Sequence, residues 1–378
     1  MLQRRFRLLF VSLNMILMGG LALAYAYSWQ NAFKLYFSSK VADVALLPQS
    51  VETSADLLAS IRLDDVLLAE PRPTPGRSIF FHETSCYDAR NEENYILKLN
   101  ARQACAIESA ALHNPNFQVF VLFADPDGPV GQYNGIQQPL VDALLNYSNV
   151  HLRRLNVWRY AAGTPIEEWL NAGKLFGSRI LIFCRFMVVH IADFLRYLTL
   201  FRYGGLYLDL DVVVLQNMED MPPNYAGAES NLWLANGVMR FSHNGSGHDM
   251  VRACLRDFEL HFNGYEWGTN GPGVITRVAK QICGTNHTAL MQDDRERCKG
   301  FKVYGKGAFY AVAAENWRDF FEPDKLEQTM ALTKYSYLVH LWNRNSKVVP
   351  IKVGSKCAYA KYAEKHCPLV YHATGEYF

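Results

Sequence analysis

The chain has 378 residues, half of them hydrophobic and 20% charged, and its 38 basic and 36 acidic side chains leave a formal net charge of +2. That apolar content builds a packed core and excludes a disordered chain. The near-balanced charge lacks the dominant basic face of a protein that reads nucleic-acid backbones, so no nucleic-acid partner is expected.

The first predicted element is a membrane anchor. After Arg4, Arg5 and Arg7, residues 8–27 carry no charge, and about 20 such residues form a helix long enough to cross a bilayer. The arginines keep the short end cytoplasmic and send everything after Tyr27 to the lumen, a type II topology. Small-x-small triplets at Ala22-Leu-Ala24 and Ala24-Tyr-Ala26 support a cleaved signal peptide as the competing reading. The expected organisation is a cytoplasmic tail over 1–7, the anchor over 8–27, a stem over 28–76 ending in the proline cluster Pro71–Pro75, and one luminal domain over 77–378.

Within that domain, Ser78-Ile-Phe-Phe-His82 reads as a strand, the stretch from Leu97 to Leu112 as a helix and Phe117–Phe123 as a second strand. A strand over Val150–Leu155, a helix over Pro165–Ala172 and a longer helix over Phe186–Phe201 continue the alternation. The fold class is therefore α/β: a mostly parallel sheet with helices on both faces and ligands at the carboxyl ends of its strands.

The stretch from Asp193 to Leu215 carries the chemistry. Gly204 and Gly205 permit a tight turn from helix to strand. Asp209 and Asp211, two apart on the expected strand, point to one side while Leu210 points to the other. Two hard oxygen donors amid apolar neighbours suit Mg²⁺ or Mn²⁺ bound together with a diphosphate, because ionised carboxylates are costly there without a cation or hydrogen-bonding partners. Asp193 and Arg196 share a helix face three apart, as either an ordinary surface ion pair or a pair looking into the same cleft.

All eight cysteines lie beyond residue 85, as suits a domain in an oxidising compartment. The short-range pairings Cys86–Cys105, Cys283–Cys298 and Cys357–Cys367 are favoured, with Cys184 and Cys254 left open and buried thiols the alternative. Asn146, Asn244 and Asn286 begin N-glycosylation sequons.

The D-x-x-R…G-G-x-Y-x-D-x-D block running from Asp193 to Asp211 resembles that of the DXD-containing sugar-binding glycosyltransferases. Within them the chain is most similar to the animal α1,4-galactosyl- and α1,4-N-acetylglucosaminyltransferases, through Phe80–Cys86, Cys105–Ser109, Asn270–Pro272 and Tyr337–Asn343. The resemblance implies a GT-A fold, a UDP-sugar donor, a divalent cation (Mn²⁺ or Mg²⁺) and retention of the donor's α configuration. It also implies roles for single residues. Asp209 and Asp211, with His340, are the candidate metal ligands, and Asp209, Asp211 and Arg196 are the candidate catalytic residues. Asp193, Arg196, Asp209, His340 and Trp342 are candidate donor contacts. In the loop Trp267–Gly273, which can equally be a plain connecting turn, Thr269, Asn270 and Gly271 are sugar-side or acceptor-side candidates. His82 stands at the end of the first strand, where the resemblance implies contacts to uridine and an apolar residue is the commoner expectation.

No second carboxylate stands at a recognisable spacing for a covalent nucleophile. Same-face attack with a phosphate oxygen as proton acceptor is therefore the expected route. The expected reaction moves galactose or N-acetylgalactosamine to a terminal β-linked galactose or N-acetylgalactosamine of a glycolipid at the Golgi membrane. The competing readings are transfer of N-acetylglucosamine to glycoprotein glycans and a non-catalytic or secreted glycan-binding protein. Self-association is left open.

Overall fold

Alternating side chains along the first two strands leave the sheet by opposite faces, and both faces are buried. Ile79 and Phe81 enter one core and Phe80 the other, as do Val119, Val121 and Phe123 against Phe120, Leu122 and Ala124. Near-continuous apolar strands of this kind belong in a sheet covered on both sides. The computed structural model describes residues 63–84, 99–125, 138–175, 187–292 and 295–378, and these described residues belong to one compact unit.

Nine strands are present among the described residues: β1 Ser78–Glu83, β2 Gln118–Asp125, β3 Val150–Asn156, β4 Gly205–Leu208, β5 Val212–Val214, β6 Tyr225–Ala228, β7 Leu234–Phe241, β8 Lys302–Tyr304 and β9 Leu338–His340. Seven form one sheet in the order β3-β2-β1-β4-β7-β6-β8, while β5 and β9 pair separately. Strands β1 to β4 run parallel, β7 runs antiparallel to both β4 and β6, and β8 is parallel to β6. The expected mostly parallel α/β sheet is present.

The helices that position the site are α1 Ala101–His113, α2 Gln138–Leu145, α3 Met187–Tyr203, α4 Gly245–His261, α5 Pro272–Cys283, α6 Asn343–Ser346, α7 Ala358–His366 and α8 Pro368–Ala373. Helix α1 begins at a capping box in which Asn100 and Gln103 satisfy each other's backbone N–H. The core on one sheet face includes residues of α1, α2, α7 and α8; the opposite core includes residues of α3, α4 and α5.

Three expectations change. Residues 63–76, read as the end of a stem, pack on the unit: Leu63 and Val66 are buried and Val66 N–H donates to Arg154 O at 3.0 Å. Cys367 bonds to Cys105 rather than to Cys357, with Cα atoms 5.1 Å apart. Cys357 is the N-cap of α7 and Cys367 its C-cap, so about 15 Å of helix rise separates them, beyond the roughly 7 Å reach of a disulfide. Cys105 is therefore not available to Cys86, which lies outside the described residues, as does Cys184.

The Cys283–Cys298 bridge forms as expected, and Cys254 and Cys357 are buried thiols. Asn146, Asn244 and Asn286 are exposed. Among the described residues no helix is long and apolar enough to cross a membrane; the expected anchor over 8–27 lies outside them.

Candidate active site

The site grows from one turn. Helix α3 ends at Tyr203, and Gly204 and Gly205 follow at φ +61° and +86°, backbone conformations that favour glycine. A Cβ on Gly204 would stand 2.6 Å from His243 N, and one on Gly205 would run into Ser78 O. The chain can therefore drop directly from α3 into β4, between β1 and β7.

Strand β4 stops at Leu208, and Asp209, Leu210 and Asp211 form the turn that carries the chain to β5 in the smaller sheet. This corrects the expected single strand. Val212 pairs with His340 of β9, whereas Leu208 pairs with Val238 of β7, so the D-x-D spans the step between two sheets. The turn, rather than strand alternation, makes the two carboxylates converge.

Each carboxylate is oriented through one oxygen. Asp209 Oδ1 accepts from Tyr207 Oη–H at 2.7 Å and lies 3.2 Å from Arg196 Nη1. Asp211 Oδ2 accepts from Asn343 N–H at 2.8 Å. The other two oxygens face one imidazole: His340 Nε2 is 3.2 Å from Asp211 Oδ1 and 3.8 Å from Asp209 Oδ2. One donor atom from each of Asp209, Asp211 and His340 lies within 4.8 Å of the other two. Gly237 keeps the space open, since a Cβ there would stand 2.7 Å from Asp209 Oδ2 and 3.3 Å from His340 Nε2.

Burial and charge set the protonation of this cluster. Burial alone would raise Asp209, but Arg196, His340 and Tyr207 outweigh it and hold the carboxyl below its usual range. Asp211 is pushed up, by burial first and by Asp209, against the pull of His340. Burial opposes charge on His340, yet Asp211 and Asp209 raise it above an ordinary histidine. In the neutral ring, His340 Nδ1 accepts a long 3.3 Å contact from Trp342 N–H, which leaves the proton on Nε2. Ligation through Nε2 requires the other tautomer, which gives up the weak Trp342 contact and replaces the Nε2–H contacts to Asp211 and Asp209 with a shared cation. Two carboxylates and an imidazole then fit a divalent cation that also takes phosphate oxygens.

Behind the cluster lies a buried network. Arg196 Nη1 donates to Asn236 O at 2.9 Å, Nη2 lies 3.4 Å from Asp193 Oδ1, and the guanidinium sits 4.8 Å from the Tyr207 ring centroid. Asp209, Tyr207 and Asp193 together overcome burial and drive Arg196 further toward its charged form. Asn236 Nδ2 donates to Asp193 Oδ1 at 2.9 Å, while burial raises Asp193 to about 6 against Arg196 and Asn236. The Asp193–Arg196 pair is thus internal, and Arg196 braces Asp209.

The remaining predicted residues separate into two groups. Gly271 joins the network: its carbonyl accepts from Tyr197 Oη–H at 2.7 Å, and a side chain there would strike Asp193. Trp342, at φ +54°, donates Nε1–H to Val312 O and packs 4.5 Å, centroid to centroid, from His340. Thr269 and Asn270 instead serve their own loop. Thr269 Oγ1 donates to Glu266, and Asn270 exchanges two hydrogen bonds with the Asn263 backbone. Sequence reasoning missed Tyr207, Asn236, Gly237 and Tyr310, whose ring lies 5.5 Å from that of His340. A glycine and an asparagine inside the apolar strand Leu234–Phe241 were the available signal, because glycine in a strand marks a close approach.

Two family profiles divide along this geometry. The profile described as "Glycosyltransferase sugar-binding region containing DXD motif" matches residues 100–231 and includes Asp193, Arg196, Asp209 and Asp211. "Alpha 1,4-glycosyltransferase conserved region" matches residues 243–374 and includes the 269–271 loop, His340 and Trp342. Lactosylceramide 4-alpha-galactosyltransferase of Rattus norvegicus is 30% identical over 82% of this chain and 79% of its own. The chain belongs to the α1,4-glycosyltransferase family.

Alpha-1,4-N-acetylglucosaminyltransferase of Homo sapiens is 26% identical over 78% of the chain and 80% of its own. A solved galactosyltransferase, LgtC with donor and acceptor sugar analogues, aligns over 79% of this chain and 96% of its own at 14% identity and a TM-score of 0.32, a level from which nothing follows. Family membership makes the chain an enzyme, a glycosyltransferase, and its DXD profile suggests use of a divalent metal and a nucleotide-sugar.

Proposed function

We propose that the protein is a retaining α1,4-glycosyltransferase that moves galactose or N-acetylgalactosamine from a UDP-sugar to a terminal β-linked galactose or N-acetylgalactosamine of a glycolipid. The reading rests on the convergence of Asp209 and Asp211, from one turn, with His340 of β9, and on the room that Gly237 leaves beside Asp209 and His340. These three residues would hold Mn²⁺, or Mg²⁺, and a cation there supplies charge stabilisation to a departing diphosphate. Arg196 and Tyr207 fix Asp209, and the Asn343 N–H fixes Asp211. Asp193, Gly271 and Asn236 form the wall on which the donor sugar lies, and His340 and Trp342 border the diphosphate.

We place the active unit in a GT-A-type domain beginning near residue 63, behind a stem and a type II anchor over 8–27, in the Golgi lumen. Leu63 and Val66 packed into the cores support the earlier start. Homology to the galactosyltransferases over 79% of their length favours galactose, and the 26% identity to the N-acetylglucosaminyltransferase supports the second reading. The test is a panel of UDP-galactose, UDP-N-acetylgalactosamine and UDP-N-acetylglucosamine against lipid and oligosaccharide β-galactosides. Transfer from UDP-N-acetylglucosamine alone overturns the donor assignment, and product of β linkage overturns retention.

A further inference from the structure

The loop between α4 and α5 holds two aromatic side chains out in solvent: Tyr265 is 65% exposed and Trp267 49%. An indole left half in water forgoes burial energy that a stable fold otherwise collects. The loop is not slack. Asn270 and Asn263 clasp its ends through two hydrogen bonds, Arg277 donates to Thr269 O at 3.2 Å, and Gly268 O receives Gly273 N–H at 2.8 Å.

Two independent ties lead from Trp267 to the cluster. Along the loop, Gly271 abuts Asp193 and is held by Tyr197. Across space, the Arg344 guanidinium lies 4.1 Å from the centroid of the Trp267 ring, and Arg344 follows Asn343, whose N–H orients Asp211. One face of the indole is thereby covered by a cation while half of the side chain remains open.

We propose that Trp267, backed by Arg344, is the platform on which the acceptor sugar ring lies. A hexopyranose presents a face of C–H bonds that packs on an aromatic ring, and its hydroxyls meet the polar rim of the loop, a usual division of labour in ligand sites. The backing guanidinium favours the observed placement of the indole, which lowers the ordering cost when the sugar arrives. This inference rests on the glycosyltransferase reading and adds to it an aromatic surface on the acceptor side, beside the loop candidates Thr269 and Asn270.

Steady-state kinetics of the full-length chain, W267A and W267F, with a soluble β-galactosyl oligosaccharide and with the same headgroup on a lipid in vesicles, provide the test. W267A is expected to raise the acceptor KM about tenfold and W267F about threefold, with donor KM held within about twofold. If W267A lowers the Tm, W267F decides, since it retains an aromatic face. An unchanged KM for the soluble acceptor overturns the platform. An effect confined to vesicle-borne acceptor also overturns it and assigns Trp267 to the lipid surface. Equal rises in donor and acceptor KM make the residue merely structural. A wild-type chain that transfers no sugar brings down the glycosyltransferase reading itself, and the platform with it.

Discussion

His82 is a buried imidazole beneath the site, bonded through Nε2 to Thr199 Oγ1 at 3.0 Å and packed on Tyr207, with a buried Nδ1 that lacks a hydrogen-bond partner. Burial, and then Arg196, lower its pKa from 6.5 to about 3. The native state therefore holds a neutral ring, and the stability tied to it is full above pH 6.5 and is lost as pH falls toward 3. From about pH 7.5 to about pH 5 the wild type should lose about 2 kcal/mol more than H82Q, which stays neutral and can keep the Thr199 bond. Urea unfolding at the two pH values measures this difference; equal losses in the two proteins would show that His82 protonates in the folded state. A residue without a titratable ring at this position would carry no such sensitivity.

At the scale of elements, the site depends on β7 passing close to the D-x-D turn. Gly237 is not in the left-handed region, so G237A acts chiefly through contact. Its Cβ would press on Asp209 Oδ2 and His340 Nε2. The Mn²⁺ concentration for half-maximal activity should rise about tenfold or more, with the Tm nearly unchanged. A normal metal requirement in G237A would separate β7 from the metal site.

The same elements show what was legible beforehand. The β1-helix-β2 order, α3, the double-glycine turn and the acidic pair all follow from periodicity and local backbone chemistry, and the structure has them. The break between β4 and β5 was not legible, because Val212, Val213 and Val214 continue an apolar run that reads as one strand; only pairing with β9, more than 120 residues later, separates them. His340 joined the cluster on family resemblance, since an isolated histidine in an aromatic segment announces nothing by itself. Tyr207 and Asn236 are polar groups whose role exists only once Arg196 is buried between them.

For the whole molecule, the Cys105–Cys367 bridge joins α1 to the C-terminal helices across 262 residues of sequence. Glu108 reinforces the junction by accepting the Leu369 and Val370 N–H groups at 2.9 and 2.7 Å. C367S should cost about 2–5 kcal/mol, read as a lower Tm under oxidising conditions and no change in reducing buffer. An unchanged Tm in both buffers would mean that the two sulfurs are not joined. Short-range pairing misjudged this bridge because chain separation says little about two helices that pack on one face of a sheet.

The proposed N-terminal anchor has its own measurement at this scale: the full-length protein should stay with membranes through alkaline carbonate extraction, and release without detergent would favour the cleaved-signal reading. The metal site is tested most directly by stripping the full-length enzyme with chelator and assaying transfer from UDP-galactose as Mn²⁺ is returned, in the wild type and in D211N. The wild type should fall to background and recover with Mn²⁺, while D211N should stay down about a hundredfold or more at any Mn²⁺ concentration. Full wild-type transfer in the presence of chelator would contradict the assignment of Asp209, Asp211 and His340 to a cation.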